Sequence, residues 1–226
     1  MDWIFSFYNY RVVAEYLPIF ANGMWATVWI STVSLVLSLI IGTLVTLAHM
    51  SHRGWLNRSA SAYIEAIRAT PLLVQIYVIY FGLPVVPLLD WRIGALQGGI
   101  IALALNSGAY MAEIIRAGIE AVPSSQTESA MAVGMSYRQR MVQVILPQAF
   151  ANVLPPVLGQ AIVLIKDSSL LSIITVSELL SAGLTILSER VMPNEGFLTV
   201  AVGYLVIYLV MLVLSVYTQR RLGGIR

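Results

Sequence analysis

From Ala21 to Ala48 the chain carries no charged side chain at all. Crossing the hydrocarbon of a bilayer takes about 20 helical residues, because backbone N–H and C=O groups must be satisfied internally where there is no water. Four later apolar stretches, each with few or no charges, follow, and together they predict five spans at about 21–49, 63–87, 94–117, 148–168 and 197–219. The composition agrees: 58% of residues are hydrophobic, 11% are charged and the mean hydropathy is +0.82, far from the balance of a soluble domain. The expected fold is an all-α polytopic membrane protein with one transmembrane domain over 21–220. Residues 1–20 carry Trp3, Phe5, Phe7 and Tyr8 and lack a basic region followed by a short apolar core, so they read as an interfacial N-terminal segment and not as a removable signal.

The placement of the arginines orients the chain. With five spans, Arg53 and Arg58, then Arg116, Arg138 and Arg140, then Arg220, Arg221 and Arg226 all fall on one side. Arg11, Arg92 and Arg190 fall on the other, each with an acidic residue close by. Cytoplasmic loops carry the excess of Lys and Arg, which predicts N-out/C-in, with 221–226 as a cytoplasmic tail. A separate span over Ser168–Ser188 is possible by length, but it would throw Arg220 and Arg221 outside. The fourth run, with Pro147, Pro155 and Pro156, is therefore expected to end in a broken or half helix, since irregular backbone at membrane depth must be buried in protein or line a cavity.

Between the third and fourth spans lies a polar interruption, 123–147. Ser125 followed by Glu128, and Ser136 followed by Gln139, each match a capping box, with Gly134 between them. This predicts a short helix, a bend at Gly134 and a second helix outside the bilayer. Small residues at Ser129, Ala130, Ala132 and Gly134 would let another protein approach closely, and Tyr137, Met141 and Val144 continue an apolar stripe. An amphipathic cover over the membrane surface would have the same look.

Polar groups inside the spans are few. Glu65 and Arg68 lie three apart and can pair on a helix, or face a solute. Asn106, Tyr110 and Glu113 fall at i, i+4 and i+7 on one face. That face, with Ser107 and Gly108 beside it, is either hydrogen-bond glue between helices or the wall of a pathway. Lys166 and Asp167 interrupt apolar sequence and can hold a broken helix together by pairing. The chain has no cysteine, and its two histidines, His49 and His52, have no carboxylate in their loop, so no metal site is expected. Neither a phosphate-binding GxxxxGK[ST] loop nor a Ser-His-Asp set is present, and a net charge of +2 marks no nucleic-acid partner. A mere anchor needs no Asn106, Tyr110, Lys166 or Asp167, which leaves passage of a solute. An ion-coupled carrier is the competing reading; it would show an internal repeat and an unpaired carboxylate deep in a span.

The segments EAIRATPLLVQ, NSGAYMAEIIRAGI, ILPQAF and KDSSLLSIITVSEL, in this order, resemble permeases of the polar amino acid subfamily of bacterial ABC importers. Glu128-Ser129-Ala130, Gly134 and Ile145-Leu146-Pro147 resemble the EAA motif of that family, with Ser129 departing from its commonest residue. The resemblance implies a type I importer permease in the inner membrane that pairs with a second, identical or paralogous permease. It also implies two ATP-binding subunits that hold ATP and Mg, and an external solute-binding protein. Glu128, Ser129, Ala130, Gly134, Ile145, Leu146 and Pro147 would then form the coupling segment, and a polar solute would pass Gln75, Asn106, Ser107, Tyr110, Ser168 and Ser169.

Overall fold

The computed structural model describes residues 7–86 and 93–222, the side chains of residues 221 and 222 excepted. Trp3, Phe5, Arg92 and Arg226, which the sequence reading used, lie outside these residues. The helices are α1 (Tyr10–His49), α2 (Gly54–Ala69), α3 (Leu72–Tyr77), α4 (Ala95–Glu120), α5 (Ser124–Ala132), α6 (Tyr137–Arg140), α7 (Leu146–Asp167), α8 (Leu179–Arg190) and α9 (Pro193–Leu222). Among the described residues four helical stretches can cross a membrane by length and apolarity, and a fifth crossing forms if α2 and the stretch Leu72–Val85 count as one broken span.

The first correction concerns the boundary at residue 20. α1 continues without a break through 40 residues, about 60 Å at 1.5 Å per residue, twice the hydrocarbon thickness. Its first turns do not lie apart from the bundle. Val13, Tyr16 and Phe20 are buried with Leu179, Ala182, Ile186 and Val200 of α8 and α9. Polar contacts pin the same turns to the α8–α9 junction. The Tyr8 hydroxyl shares a 2.8 Å hydrogen bond with Thr199, the Asn9 N–H donates to Glu195 at 2.9 Å, and the Tyr16 hydroxyl donates to Glu189 at 2.6 Å. Arg190 and Glu15 form an ion pair at 2.9 Å.

One face of α1 carries Gly23, Thr27, Ser31, Ser34, Ser38, Gly42 and Thr46, all buried. In lipid there is no hydrophobic drive between helices, so association depends on close van der Waals approach, which small residues permit. The upper part of this stripe meets α8, where Thr27 Oγ1 accepts the Leu179 N–H at 3.1 Å. The lower part meets α4. The Thr46 hydroxyl sits 2.8 Å from the Gly42 carbonyl and 2.9 Å from the Ala112 carbonyl. A Cβ on Gly42 would lie 2.5 Å from Met111 Cβ, so only glycine allows this spacing.

The cross-contacts give the directions of the spans. Gly42 and Thr46 meet Met111 and Ala112, so α4 runs alongside α1. α7 runs against both: Gly118 abuts Val153, and Gln160 donates to Ser107 at 3.4 Å. α9 starts beside the start of α1. Hence the ends that carry Arg53, Arg58, Arg116, Arg138, Arg140 and Arg220 share one face of the bundle.

The second and fourth spans depart from simple helices. The span expected at 63–87 begins at Gly54 and turns through 108° between Ala69 and Leu72. The fourth helical run extends over Tyr137–Ile174, longer at both ends than 148–168. It ends in a tight 3₁₀ stretch, Ser168–Ile174, closed by Thr175 in the left-handed conformation. α8 follows with 12 residues, too short to cross. Substituting Gly42 by Val should lower the apparent melting temperature of the detergent-purified protein, since overpacking of this kind costs about 1–3 kcal/mol. Val36→Ala, at a position 52% exposed, should leave it unchanged in the same scan.

Candidate functional site

The polar interruption folds as helix, turn and helix. Pro123 precedes α5 and makes no side-chain cap. This corrects the first capping box: Ser125 already lies inside the helix and Glu128 does not reach back to it. Pro123 has replaced the cap with a fixed φ and a missing N–H, which suit a helix start. The second box does form. The Ser136 side chain accepts the Gln139 N–H, and Gln139 Oε1 accepts the Ser136 N–H at 2.9 Å. Gly134, at φ +79°, makes the turn between them, and N–H groups of Gly134 and Met135 donate to the carbonyls of Met131 and Ala130. This left-handed helix end satisfies carbonyls that α5 leaves open, and it favours glycine.

Glu128, Ser129 and Gly134 are exposed, while Ala130 is buried. Ile145 is half-buried, Leu146 is exposed, and Pro147 occupies the first turn of α7. α6 passes through a wider π-type turn, Met141–Ile145, straight into α7. Upstream, α4 and α5 are separated by three residues, Ala121 to Pro123. The segment 123–147 is thus joined at both ends to long helices, on the face that gathers the arginines.

The polar face of α4 meets the broken span. Asn106 Nδ2 donates to Gln75 Oε1 at 3.0 Å. The Arg68 guanidinium lies 5.6 Å from the Tyr110 ring centroid and 3.7 Å from Glu113. Glu113 also holds Arg116 at 3.0 Å, and Arg116 holds Glu120 at 2.6 Å. The expected pairing of Arg68 with Glu65 is therefore corrected: its acidic partner is Glu113, because α2 packs against α4 on the side of Arg68 while Glu65 stays exposed.

Gln75 satisfies the break itself. A helix end leaves its last four carbonyls without partners, and in hydrocarbon water cannot supply them. The Gln75 amide nitrogen lies 2.8 Å from the Ile67 carbonyl, 3.1 Å from the Thr70 carbonyl and 2.8 Å from Thr70 Oγ1. The Thr70 hydroxyl donates to the Ala66 carbonyl at 2.9 Å, and Pro71 has no N–H to leave unpaired. Both Gln75 and Asn106 are buried, so truncating either leaves unpaired polar atoms at a cost of about 1–3 kcal/mol. Arg68 is 46% exposed and Glu113 28%, where such a pair contributes about 0–1 kcal/mol.

Of the other expected pathway residues, Ser107 and Ser168 are buried, and Tyr110 and Ser169 are half-buried. The Ser168 and Ser169 hydroxyls donate to the carbonyls of Ile165 and Lys166, both at 2.7 Å, within the turn that ends the fourth run. Thr70 and Gln75, with Val74, Val78 and Leu105, line a groove beside the break.

One buried cluster escaped the sequence reading. Glu178 is fully buried and caps α8: its carboxylate accepts the N–H groups of Leu180 and Ser181, both at 2.8 Å, and the Tyr204 hydroxyl at 3.0 Å. The signal available was Glu178 followed three residues later by Ser181, a reversed capping box whose second half also forms, with the Ser181 hydroxyl accepting the Glu178 N–H at 2.9 Å. Among the described residues no three His, Cys, Asp or Glu side chains gather as metal ligands.

The family model described as "Binding-protein-dependent transport system inner membrane component" matches residues 34–224. The chain belongs to that family. Its members are membrane permease subunits, and ATP hydrolysis lies in a separate subunit. The glutamine transport system permease protein GlnP of Escherichia coli K12 is 36% identical over 216 residues, 95% of this chain and 98% of that protein. The arginine transport system permease protein ArtQ of Bacillus subtilis is 35% identical over 172 residues, 76% of this chain and 78% of that one. A solved amino acid ABC transporter, crystallised with histidines, superposes with a TM-score of 0.89 at 36% identity, covering 94% of this chain and 98% of the other.

The two capping boxes make a testable contrast. Ser136→Ala should cost about 1 kcal/mol of local stability and speed amide exchange at Gln139, whereas Ser125→Ala, inside α5 and exposed, should leave exchange in the segment unchanged. Glu178→Ala, which strands two N–H groups and a hydroxyl, should lower the apparent melting temperature more than Tyr204→Phe, which removes one donor.

Proposed function

We propose that this chain is the permease subunit of an importer for polar amino acids or close analogues, oriented N-out/C-in, with residues 123–147 as its coupling segment. The observation that carries this reading is the exposed helix–turn–helix at Glu128 to Gly134, joined within three residues to α4 and without a break to α7. A partner that moves this segment moves two spans. Its place on the arginine-rich face supports a cytoplasmic position, and the relatives that carry glutamine or arginine in their names support the solute class.

In this reading two ATP-binding subunits, which hold ATP and Mg, receive one coupling segment each from two facing permeases, and a solute-binding protein delivers the solute from the opposite side. Glu128, exposed and uninvolved in capping, contacts the ATP-binding subunit, and close approach is allowed by Ser129 and Ala130. Gly134 sets the bend, and Ile145, Leu146 and Pro147 fix the angle at which α7 leaves it. Closure of the ATP-binding subunits then rocks α4 and α7 as rigid bodies. The energy comes from the difference in ATP affinity between two conformations.

The groove beside the break is the proposed solute path. Thr70 and Gln75 line it, and Asn106 holds Gln75; Ser107, Tyr110, Ser168 and Ser169 lie off this groove and meet the solute elsewhere on its route. Lys166 and Asp167 stay with the end of the fourth run.

The test is uptake and ATP hydrolysis in proteoliposomes containing the chain, candidate ATP-binding subunits and the liganded binding protein. Wild type should show stimulated turnover. Glu128→Arg and Gly134→Trp should each lower stimulated turnover at least about tenfold, while the chain alone still extracts and folds. Solute movement at full rate without any ATP-binding subunit would overturn the proposal in favour of an ion-coupled carrier.

A further inference from the structure

The polar face of α4 touches the broken span on both sides of its 108° turn. On the α3 side it does so through Asn106 and Gln75, 3.0 Å apart and both buried. On the α2 side it does so through the Tyr63 hydroxyl, which donates to the Leu105 carbonyl at 2.6 Å, and through Tyr110 and Glu113, which share Arg68. The two contacts differ in kind. The amide contact is short and shielded, and Gln75 uses its other atoms to close the carbonyls of the break. The Arg68 contact is long, half-exposed and contested, because Glu113 already accepts two bonds from Arg116 at 3.2 and 3.0 Å.

We infer that Gln75 and Asn106 form a permanent pivot between α3 and α4, and that Arg68 and Glu113 form a releasable latch, so that the broken span opens by swinging α2 about the pivot. This rests on the importer reading above, since α4 receives its displacement from the coupling segment. The physical reason is an inequality. Breaking the pivot leaves Gln75 Oε1 and the Asn106 amide, both buried, without their partners, so that state is disfavoured. Releasing the latch leaves Arg68 with water and Glu113 with Arg116, so neither charge is stranded. A displacement of α4 is then taken up on the α2 side, where the Tyr63 hydroxyl gives up the Leu105 carbonyl as the latch releases. Gln75 and Asn106 are positioning residues in this scheme: they keep the groove wall formed by Val74 and Val78 in register with α4 while the opposite wall moves.

The chain contains no cysteine, so spin labels can be placed without removing native thiols. Ala62, Val78 and Ala117 are exposed on α2, on the continuation of α3 and on α4. Distances for the pairs Ala62→Cys with Ala117→Cys, and Val78→Cys with Ala117→Cys, are measured by electron–electron resonance in the assembled transporter, nucleotide-free and trapped with ATP and vanadate. The expected result is a shift on the order of 3–5 Å for the first pair and under about 1 Å for the second. In the Asn106→Ala background the second distribution should broaden, and solute moved per ATP should fall about tenfold while stimulated hydrolysis stays within about twofold. Glu113→Gln, which weakens the latch and the Arg116 pair but leaves the amide contact intact, should leave the second distribution narrow. Equal shifts in the two pairs, or a narrow second distribution in Asn106→Ala, would overturn the pivot and leave the importer reading intact. Loss of ATP-driven uptake in the labelled but otherwise wild-type complex, with uptake surviving without ATP-binding subunits, would overturn both.

Discussion

Unpaired backbone groups cannot stay in hydrocarbon, and the irregular parts of this chain are arranged to meet that constraint. At the break in the second span, the Gln75 amide and the Thr70 hydroxyl take the carbonyls of Ile67, Thr70 and Ala66. At the start of α8, the Glu178 carboxylate takes the N–H groups of Leu180 and Ser181, while Thr27 takes that of Leu179. In both places a side chain from another helix completes the set: Asn106 holds Gln75, and Tyr204 holds Glu178. Where the backbone departs from the helix, the bundle is cross-linked.

That arrangement joins stability to function. A span that is bent and locally satisfied can present a groove without exposing bare carbonyls to lipid. The helix that braces it, α4, leads after three residues into α5, which carries Glu128 and ends at the exposed turn of Gly134. A push on the turn therefore reaches the groove through covalent helix and through the polar contacts of Asn106, Tyr110 and Glu113. The long α1 packs along α4. Its buried stripe of Gly, Ser and Thr lets α4 and α8 approach closely enough for backbone carbonyls and hydroxyls to meet.

Much of the candidate site was legible in the chain. The face of Asn106, Tyr110 and Glu113 follows from helical spacing alone, and the second capping box, Ser136 with Gln139, formed as its spacing predicts. The first did not, because a capping box is a statement about which residue ends the coil, and Pro123 set that start two residues earlier than Ser125. The Glu65–Arg68 pairing failed for a related reason. Spacing of three says that two side chains can meet on one helix, but the packing of α2 against α4 gave Arg68 a partner on another helix.

The sequence by itself determined which stretches are apolar enough to cross a membrane and the gathering of arginines on one face. Those depend on hydropathy and charge, which are sums over local residues. It also determined the helix–turn–helix between the third and fourth spans, since Gly134 and Pro123 act on their own backbone. Only the tertiary structure decided which partner each intramembrane polar group took, how far the second span bends, and that residues 10–20 pack against α8 and α9. Those outcomes depend on contacts between positions up to 191 residues apart, such as Tyr8 with Thr199. In lipid, such contacts are selected by how closely the small-residue faces allow the helices to approach.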